Sequence, residues 1–379
     1  MKLHWELGLA FVLTFFLISV GHAAEFNPKL SLSVSEQYND NVYLQKTDRK
    51  SDFETSVSPT LDISLESGTN KMSINYTPGF NFYNSETNLN STSHSAGAAA
   101  TINLSDTTVL NMNDTFLRSS EITDLASVVA MGPVRAFSER TINNGTGNIT
   151  FKLKNNLNLV IGGGISTSDI KGGVSSNSQS YTGNAGLNYT LSERTTISAN
   201  AAYARYLYRI GNDSNNQNYG LGFTYKLRPT LTLALTGGMS VTDTANTGKS
   251  SNFSGSAVLT KNFEFGTGSL TYSQNITSSA VDNAPVNTMN IGVMFSRPFT
   301  ESLAASLSGS YMKYNSLKTS LINTETLSSM ASLTYKINTW ANLSLNYTYA
   351  RLHDKVNGAT DYFNNLIMCR LTVFYGRKM

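Results

Sequence analysis

The chain repeats one signal from end to end: strict alternation of apolar and polar residues over stretches of about ten. Leu231, Leu233, Leu235, Gly237, Met239 and Val241 alternate with Thr232, Ala234, Thr236, Gly238, Ser240 and Thr242. Ala341, Leu343, Leu345, Tyr347 and Tyr349 alternate with Asn342, Ser344, Asn346, Thr348 and Ala350. Met72, Ile74, Tyr76, Pro78, Phe80 and Phe82 do the same with Ser73, Asn75, Thr77, Gly79 and Asn81. Period two puts each set on its own face of a strand. The one stretch with a hint of helical spacing runs from Ile122 to Phe137. A chain built this way must form sheet, and a sheet of this size must close or cover its edges.

Composition decides what the two faces meet. Charged residues are 14% and hydrophobic residues 40%, so the chain is low in charge without being greasy; soluble proteins carry about 25% charge. Ser, Thr, Asn and Gly fill the polar face. A soluble sandwich or propeller would place more Lys and Glu there, and a β-helix would show a shorter sequence repeat. Short turns at Ser67–Asn70, Ser105-Asp106, Lys154–Asn156, Ser192–Arg194, Arg228–Thr230, Glu264–Thr267, Pro298–Glu301 and Asn338–Trp340 alternate with longer polar loops. This grammar predicts an all-β, antiparallel up-and-down transmembrane barrel of about eighteen strands, with sixteen as the alternative and both termini on the periplasmic, short-turn side. Tyr189, Tyr225, Phe263, Phe295 and Tyr335 precede short turns, and Tyr83, Tyr203, Tyr208, Tyr311 and Tyr349 precede long loops, as two interfacial girdles require. Asp114 breaks the pattern among Leu110, Met112 and Phe116: either a bulge turns it inward or it lies near the outer interface.

The N-terminus reads as an export signal. Lys2 precedes the apolar run Leu7 to Val20, too short for a good helical span, and Gly21-His22-Ala23-Ala24 supplies small residues for cleavage. The expected organisation is a signal peptide over 1–24 and a barrel over 25–379, placed in the cell outer membrane. The single cysteine, Cys369, makes no internal disulfide and reads as a small hydrophobe. A net charge of +3, with scattered basic residues, gives no case for nucleic acid.

Tyr38-Asn39-Asp40-Asn41-Val42-Tyr43, then Lys50-Ser51-Asp52-Phe53 and Val57-Ser58-Pro59, resembles the opening of the β-barrel porin 2 family of Gram-negative outer-membrane proteins. Leu104-Ser105-Asp106 with Asn113-Asp114-Thr115-Phe116 is similar to the next part of that pattern, and Asn364 to Tyr375 resembles a barrel-closing strand. Barrel-assembly signals usually end on an aromatic residue, whereas Tyr375 is followed by Gly376-Arg377-Lys378-Met379. The resemblance implies an outer-membrane porin of undefined substrate, with some relatives accompanying exopolysaccharide export. Outer-membrane lipid and lipopolysaccharide, and the barrel-assembly machinery during insertion, are the expected partners.

Enzymatic chemistry finds few candidates. After Ala24 only His94 and His353 remain, and with Cys369 they make no metal-ligand spacing. Gly162-Gly163-Gly164 and Gly237-Gly238 lie inside strands with no helix after them, so they relieve crowding rather than bind phosphate. No enzyme and no cofactor are expected. An eighteen-strand barrel leaves an aqueous lumen, so the leading expectation is a channel for passive diffusion of small hydrophilic solutes, and the alternative is a barrel serving polysaccharide export. Lys152, Lys226 and Lys336 fall on the polar face beside short turns, where they either ring the periplasmic mouth of the lumen or merely solvate the turn. The apolar loop Ser119 to Ser138 either bends inward or packs outside as a lid. In the first case Arg118, Glu121, Asp124, Arg135, Glu139 and Arg140 set the field at a constriction.

Overall fold

The computed structural model describes residues 25–120, 139–171, 177–209, 211–245, 248–279, 284–317, 323–355 and 360–375. The leader proposed for 1–24 and most of the loop after Ser119 lie outside them. Eighteen strands follow one another: β1 (Glu25–Asn39), β2 (Asp52–Ser67), β3 (Asn70–Tyr83), β4 (Ser91–Ser105), β5 (Thr108–Ser119) and β6 (Arg140–Lys154). Then come β7 (Leu157–Ile170), β8 (Ser178–Ser192), β9 (Thr195–Tyr208), β10 (Ser214–Arg228), β11 (Leu231–Thr244) and β12 (Gly248–Phe263). The last are β13 (Gly266–Ser279), β14 (Ala284–Pro298), β15 (Leu303–Ser316), β16 (Asn323–Asn338), β17 (Ala341–Asp354) and β18 (Thr360–Tyr375). Each pairs antiparallel with its sequence neighbours, and β1 pairs with β18 from Leu30↔Tyr375 to Asn39↔Leu366, so the sheet closes without an edge. This is the expected up-and-down barrel with the larger of the two strand counts. A strand of 15 residues such as β1 is about 50 Å long at roughly 3.4 Å per residue. A tilted membrane strand needs only about 9–11 residues, so the ends overrun the hydrocarbon.

Register settles the faces, because paired residues share a side. Leu30, Leu32 and Val34 are exposed and pair with Leu61, Pro59 and Val57; following the ladder round, Ile74, Tyr76, Phe80, Leu235, Ile291, Leu343 and Leu345 take the same outer side. The other parity turns inward. Ser33 and Thr372 hydroxyls meet at 2.9 Å across the closing seam, Thr236 and Ser256 at 2.8 Å, and Ser310 and Ser328 at 2.7 Å. Among the described residues no apolar core fills the barrel in the manner of a soluble domain; the apolar face looks outward, which only lipid makes favourable.

Short turns and bulges come together. Register shifts occur at Asn103/Ser105, Lys152/Lys154, Thr190/Ser192, Lys226/Arg228 and Lys336/Asn338, each beside a short turn. A bulge adds local twist and lets two residues reverse the chain. The strand glycines answer close approach: a Cβ on Gly163 would stand 2.8 Å from the Thr182 carbonyl oxygen, and one on Gly164 at 2.8 Å from that of Gly145.

The girdles are partly as expected. Tyr189, Phe263 and Tyr335 are exposed on the outer face beside the turns. There Phe263 lies 5.4 Å from Phe265, and Arg297 sits 5.1 Å over Phe265 and 4.9 Å over Phe299. Such cation–aromatic stacks suit a membrane–water boundary. Of the loop-side set, Tyr203 is outward, but Tyr83 pairs with Glu54 and Tyr208 with Ser178 on the inner face, and both are buried. The correction follows from parity: proximity to a loop sets a residue's height, while its odd or even place in the ladder sets its side. Asp114 stays outward without a bulge, between Ala98 and Gly145, and accepts a hydrogen bond from Asn143 Nδ2 at 3.2 Å.

Candidate functional site

The lumen wall is the candidate site, and its chemistry is that of small uncharged groups. Asn216 Nδ2 donates to Ser240 Oγ at 2.7 Å and to Thr242 Oγ1 at 2.8 Å. Asn218 Nδ2 donates to Ser254 Oγ at 2.8 Å, and Thr101 Oγ1 to Asn111 Oδ1 at 2.9 Å. Neighbouring strands thus tie hydroxyls and amides together, leaving a wall that accepts and donates hydrogen bonds without fixing a charge.

Burial along that wall is uneven. On the inner face of β16, Lys336 and Thr334 at the turn end are exposed, while Thr326 and Thr324 at the loop end are buried. On β11, Thr236 is exposed, whereas Ser240, Thr242 and Thr244 are buried. The same rise occurs on β10 toward Asn216 and Ser214. Val286, Tyr314, Leu352 and Tyr362 form a packed cluster at the loop end of β14 to β18, again on the inner face.

The charged residues divide in the same way. Lys152, Lys226 and Lys336 occupy inner-face positions, opposite Asn158, Thr232 and Asn342. They are also structurally equivalent. Each precedes a bulge, and its backbone N–H donates to a carbonyl in the adjacent turn: Lys152 to Thr107 at 2.7 Å, Lys226 to Arg194 at 2.9 Å and Lys336 to Ser302 at 2.7 Å. One height at the short-turn mouth therefore carries all three, with no ion-pair partner among the described residues. Arg370, missed in the sequence, joins them on the inner face, opposite Ser35 and Ser344. Its signal was alternation inside an apolar run: Ile367, Cys369 and Leu371 face out, so Met368 and Arg370 face in. On β2 and β3 the inner-face cation Lys71 is instead neutralised by Glu66 at 3.5 Å.

Of the residues expected at a constriction, Arg118, Glu139 and Arg140 are described. Arg118 pairs with His94 and Thr141 on the outer parity, and its guanidinium meets Glu139 at 3.0 Å. Lys171 completes that cluster at 2.6 Å from Glu139. Its two cations hold the Glu139 carboxyl below the ordinary carboxylate range, Lys171 contributing most by its hydrogen bond, over the opposing effect of burial. Arg140 takes the inner parity, opposite Ser119 and Ile170, and its Nε is buried without a partner. Glu121, Asp124 and Arg135 lie outside the described residues.

The Tyr38–Tyr43 motif has a structural role. Asn41, 0% exposed, donates through Nδ2 to the Gln45 and Phe363 carbonyls at 2.9 Å each and accepts from the Gln45 N–H. Asp40 accepts from the Asn365 backbone at 2.7 Å and its side chain at 2.6 Å. Asp52 accepts the N–H groups of Ser85 and Glu86 at the second loop. Lys50 and Tyr43 then close on Glu86, each at 2.8 Å. The motif clamps the first loop to the second and to the last strand, exactly where chain closure brings the ends together.

The two histidines lie on the outer face. His94 shares a hydrogen bond with Tyr76 Oη at 2.8 Å, and His353 Nδ1 lies 2.8 Å from Asp361, which also holds Arg351 at 3.1 Å. Among the described residues no His, Cys, Asp and Glu cluster is arranged to hold a metal ion.

No protein-family model matches the chain, and no characterised protein matches it by sequence. Solved structures do match. Acinetobacter baumannii OccAB4 aligns at a TM-score of 0.52 with 14% identity, over 93% of this chain and 98% of that one. Pseudomonas aeruginosa OccK2 (OpdF), solved in complex with glucuronate, aligns at 0.52 with 11% identity over 92% and 98%. Pseudomonas aeruginosa OpdK with vanillate aligns at 0.50 with 11% identity over 92% and 99%. At these identities the likeness is one of fold.

Proposed function

We propose that the chain is an outer-membrane channel through which small hydrophilic solutes diffuse passively. The observation that carries this reading is the pairing of faces: a closed eighteen-strand barrel, apolar outside, with an inner wall of hydroxyls and amides that carries lysines at its short-turn end. Barrels of this strand number enclose water. An apolar outer band between aromatic and charged rims suits the outer membrane, with lipopolysaccharide at the loop end and the assembly machinery acting on the final strand. Structural neighbours crystallised with glucuronate and vanillate support small solutes as cargo. The packed loop end lends no support to the passage of a polysaccharide chain.

In this reading Lys152, Lys226, Lys336 and Arg370 raise the anion concentration at the periplasmic mouth, since unpaired cations in a confined lumen attract counter-ions. Arg140 stands at the loop end of the inner wall. The loop Ser119 to Ser138, with Glu121, Asp124 and Arg135, is proposed to narrow the lumen beside it; deleting Leu125 to Val134 is then expected to raise conductance. The deciding experiment is single-channel recording of the purified, folded barrel in planar bilayers. Discrete conductance steps are expected. A correctly folded barrel that yields none overturns the channel reading.

A further inference from the structure

Four inner-face glycines share one arrangement: the polar side chain directly opposite lies across them. Asn75 faces Gly97 in the β3–β4 ladder, and a Cβ on Gly97 would meet Asn75 Oδ1 at 2.9 Å and Nδ2 at 3.0 Å. Asn200 covers Gly220 on β9 and β10 in the same way, with Oδ1 at 2.9 Å and Nδ2 at 3.3 Å. On β13 and β14, Thr271 Oγ1 would stand 2.6 Å from a Cβ on Gly292. Asn148 lies over Gly162 on β6 and β7, where the Gly147 carbonyl oxygen also approaches. All four pairs have the inner parity; Asn75 and Asn200 are exposed there, and Asn148 and Thr271 are half-buried. Depth is shared as well. Counted from the short-turn end of its strand, Asn75 stands five residues beyond Asn70, Asn200 five beyond Thr195, Thr271 five beyond Gly266 and Asn148 six before Lys154. Five residues run roughly 17 Å along a strand, about 13 Å above the turns at a tilt of about 40°, near the middle of an apolar band about 25 Å tall. Successive pairs are three or four strands apart around the barrel, about 14–19 Å at roughly 4.8 Å per strand.

From this arrangement we infer that these asparagine–glycine and threonine–glycine pairs set the free width of the lumen at mid-height, and with it the largest solute that passes. The inference rests on the channel reading and names the residues that fix its size limit. Glycine in a strand interior weakens the sheet, so a close approach must account for it. At Gly163 and Gly164 the approach is that of neighbouring backbone. At Gly97 and Gly220 the three nearest atoms all belong to the opposite asparagine, so the sheet itself has no need of a bare Cα there. No hydrogen bond holds the Asn75 or Asn200 carboxamide among the described residues; the missing Cβ is what lets it lie down. Each pair thus takes two side chains out of the lumen, the one that glycine lacks and the one folded over it. A methyl group on the glycine displaces the amide. Beside Asn75 the other ladder neighbour is Asp62, and beside Asn148 it is Asn111, so the open direction is the lumen. Asn200 has a second glycine beside it, Gly186, which offers an alternative seat. A pair of alanines would clear a similar width but leave the wall apolar, whereas an amide laid over glycine keeps donors and acceptors toward water.

Swelling of proteoliposomes carrying the full-length barrel reads the size limit, as the rate in raffinose relative to the rate in arabinose. The triple variant Gly97→Ala, Gly186→Ala and Gly220→Ala is expected to lower that ratio by about twofold, since pore diameter governs passage, while its strand content by circular dichroism stays that of the parent. Adding Asn75→Ala and Asn200→Ala is expected to restore the ratio, because the displaced amides are then gone. Such restoration separates width from a disturbed fold, which two further substitutions would not repair. An unchanged ratio in the triple variant, a fall that the asparagine substitutions leave in place, or a triple variant that no longer folds each overturns the proposal. If the parent admits arabinose, any of these outcomes sinks the width assignment alone; a folded parent that admits neither sugar sinks the channel reading and this inference with it.

Discussion

The two ends of the lumen are built from the same alternating strands and differ in what holds them. At the short-turn end the wall is exposed and Lys152, Lys226 and Lys336 stand without ion-pair partners among the described residues; at the loop end Ser240, Thr242, Thr324 and Thr326 are buried and the first loop is pinned by Asn41, Asp40 and Asp52. One end is exposed and charged, and the other is packed. The two kinds of interaction respond to different perturbations: fields weaken with salt, whereas a buried hydrogen-bond clamp responds to the loss of a single partner.

The largest expected effect is at the clamp. Asn41→Ala strips the Phe363 and Gln45 carbonyls of their donor, and an unsatisfied buried group costs about 1–3 kcal/mol. Amide exchange is expected to accelerate across 40–51 and the start of β18, with no change at the short turns. Uniform acceleration over the whole barrel would show that the ends are not independent.

An intermediate effect is expected at the other end. Replacing Lys152, Lys226 and Lys336 together by Gln is expected to reduce anion preference by severalfold, read from reversal potentials in a KCl gradient. The Debye length is about 10 Å at 0.1 M salt and about 3 Å at 1 M, so the difference is expected to shrink at high salt. An unchanged reversal potential at low salt would remove the lysines from the pathway and leave them as solvated turn residues.

The smallest expected effect is a pH response confined to the loop end. Glu86 has its carboxyl held below the usual range, chiefly by the hydrogen bond from Lys50, then by that from Tyr43. A folded-state value below the unfolded one means that the stabilisation is present above the ordinary carboxylate range and is lost as pH falls through the depressed value. A spin label at Thr47 is therefore expected to gain mobility only in acid, and Glu86→Gln to show that mobility already at neutral pH. Mobility that changes near pH 6 instead would assign the response to another group.

Much of this was legible before any coordinates. Alternation, turn grammar and low charge state the barrel, its strand number and the sidedness of Leu231 through Leu235 or Leu343 and Leu345, because side-chain direction in a strand depends only on counting by two. The same counting places Lys152, Lys226 and Lys336 on the inner face. What misled was placing residues by their nearness to a loop: Tyr83 and Tyr208 turn inward and Arg118 outward, as their parity in the ladder requires. The sequence by itself therefore determined which residues share a face. Only the tertiary structure decided which residues share a height and which meet across the closure. Asn41 with Phe363 and Asp40 with Asn365 are partners at separations of 322 and 325 residues. The cluster of Val286, Tyr314, Leu352 and Tyr362 forms only through the register of five strands. Local alternation carries no information about register between distant strands; that is set by the turns, the bulges and the condition that the last strand must meet the first.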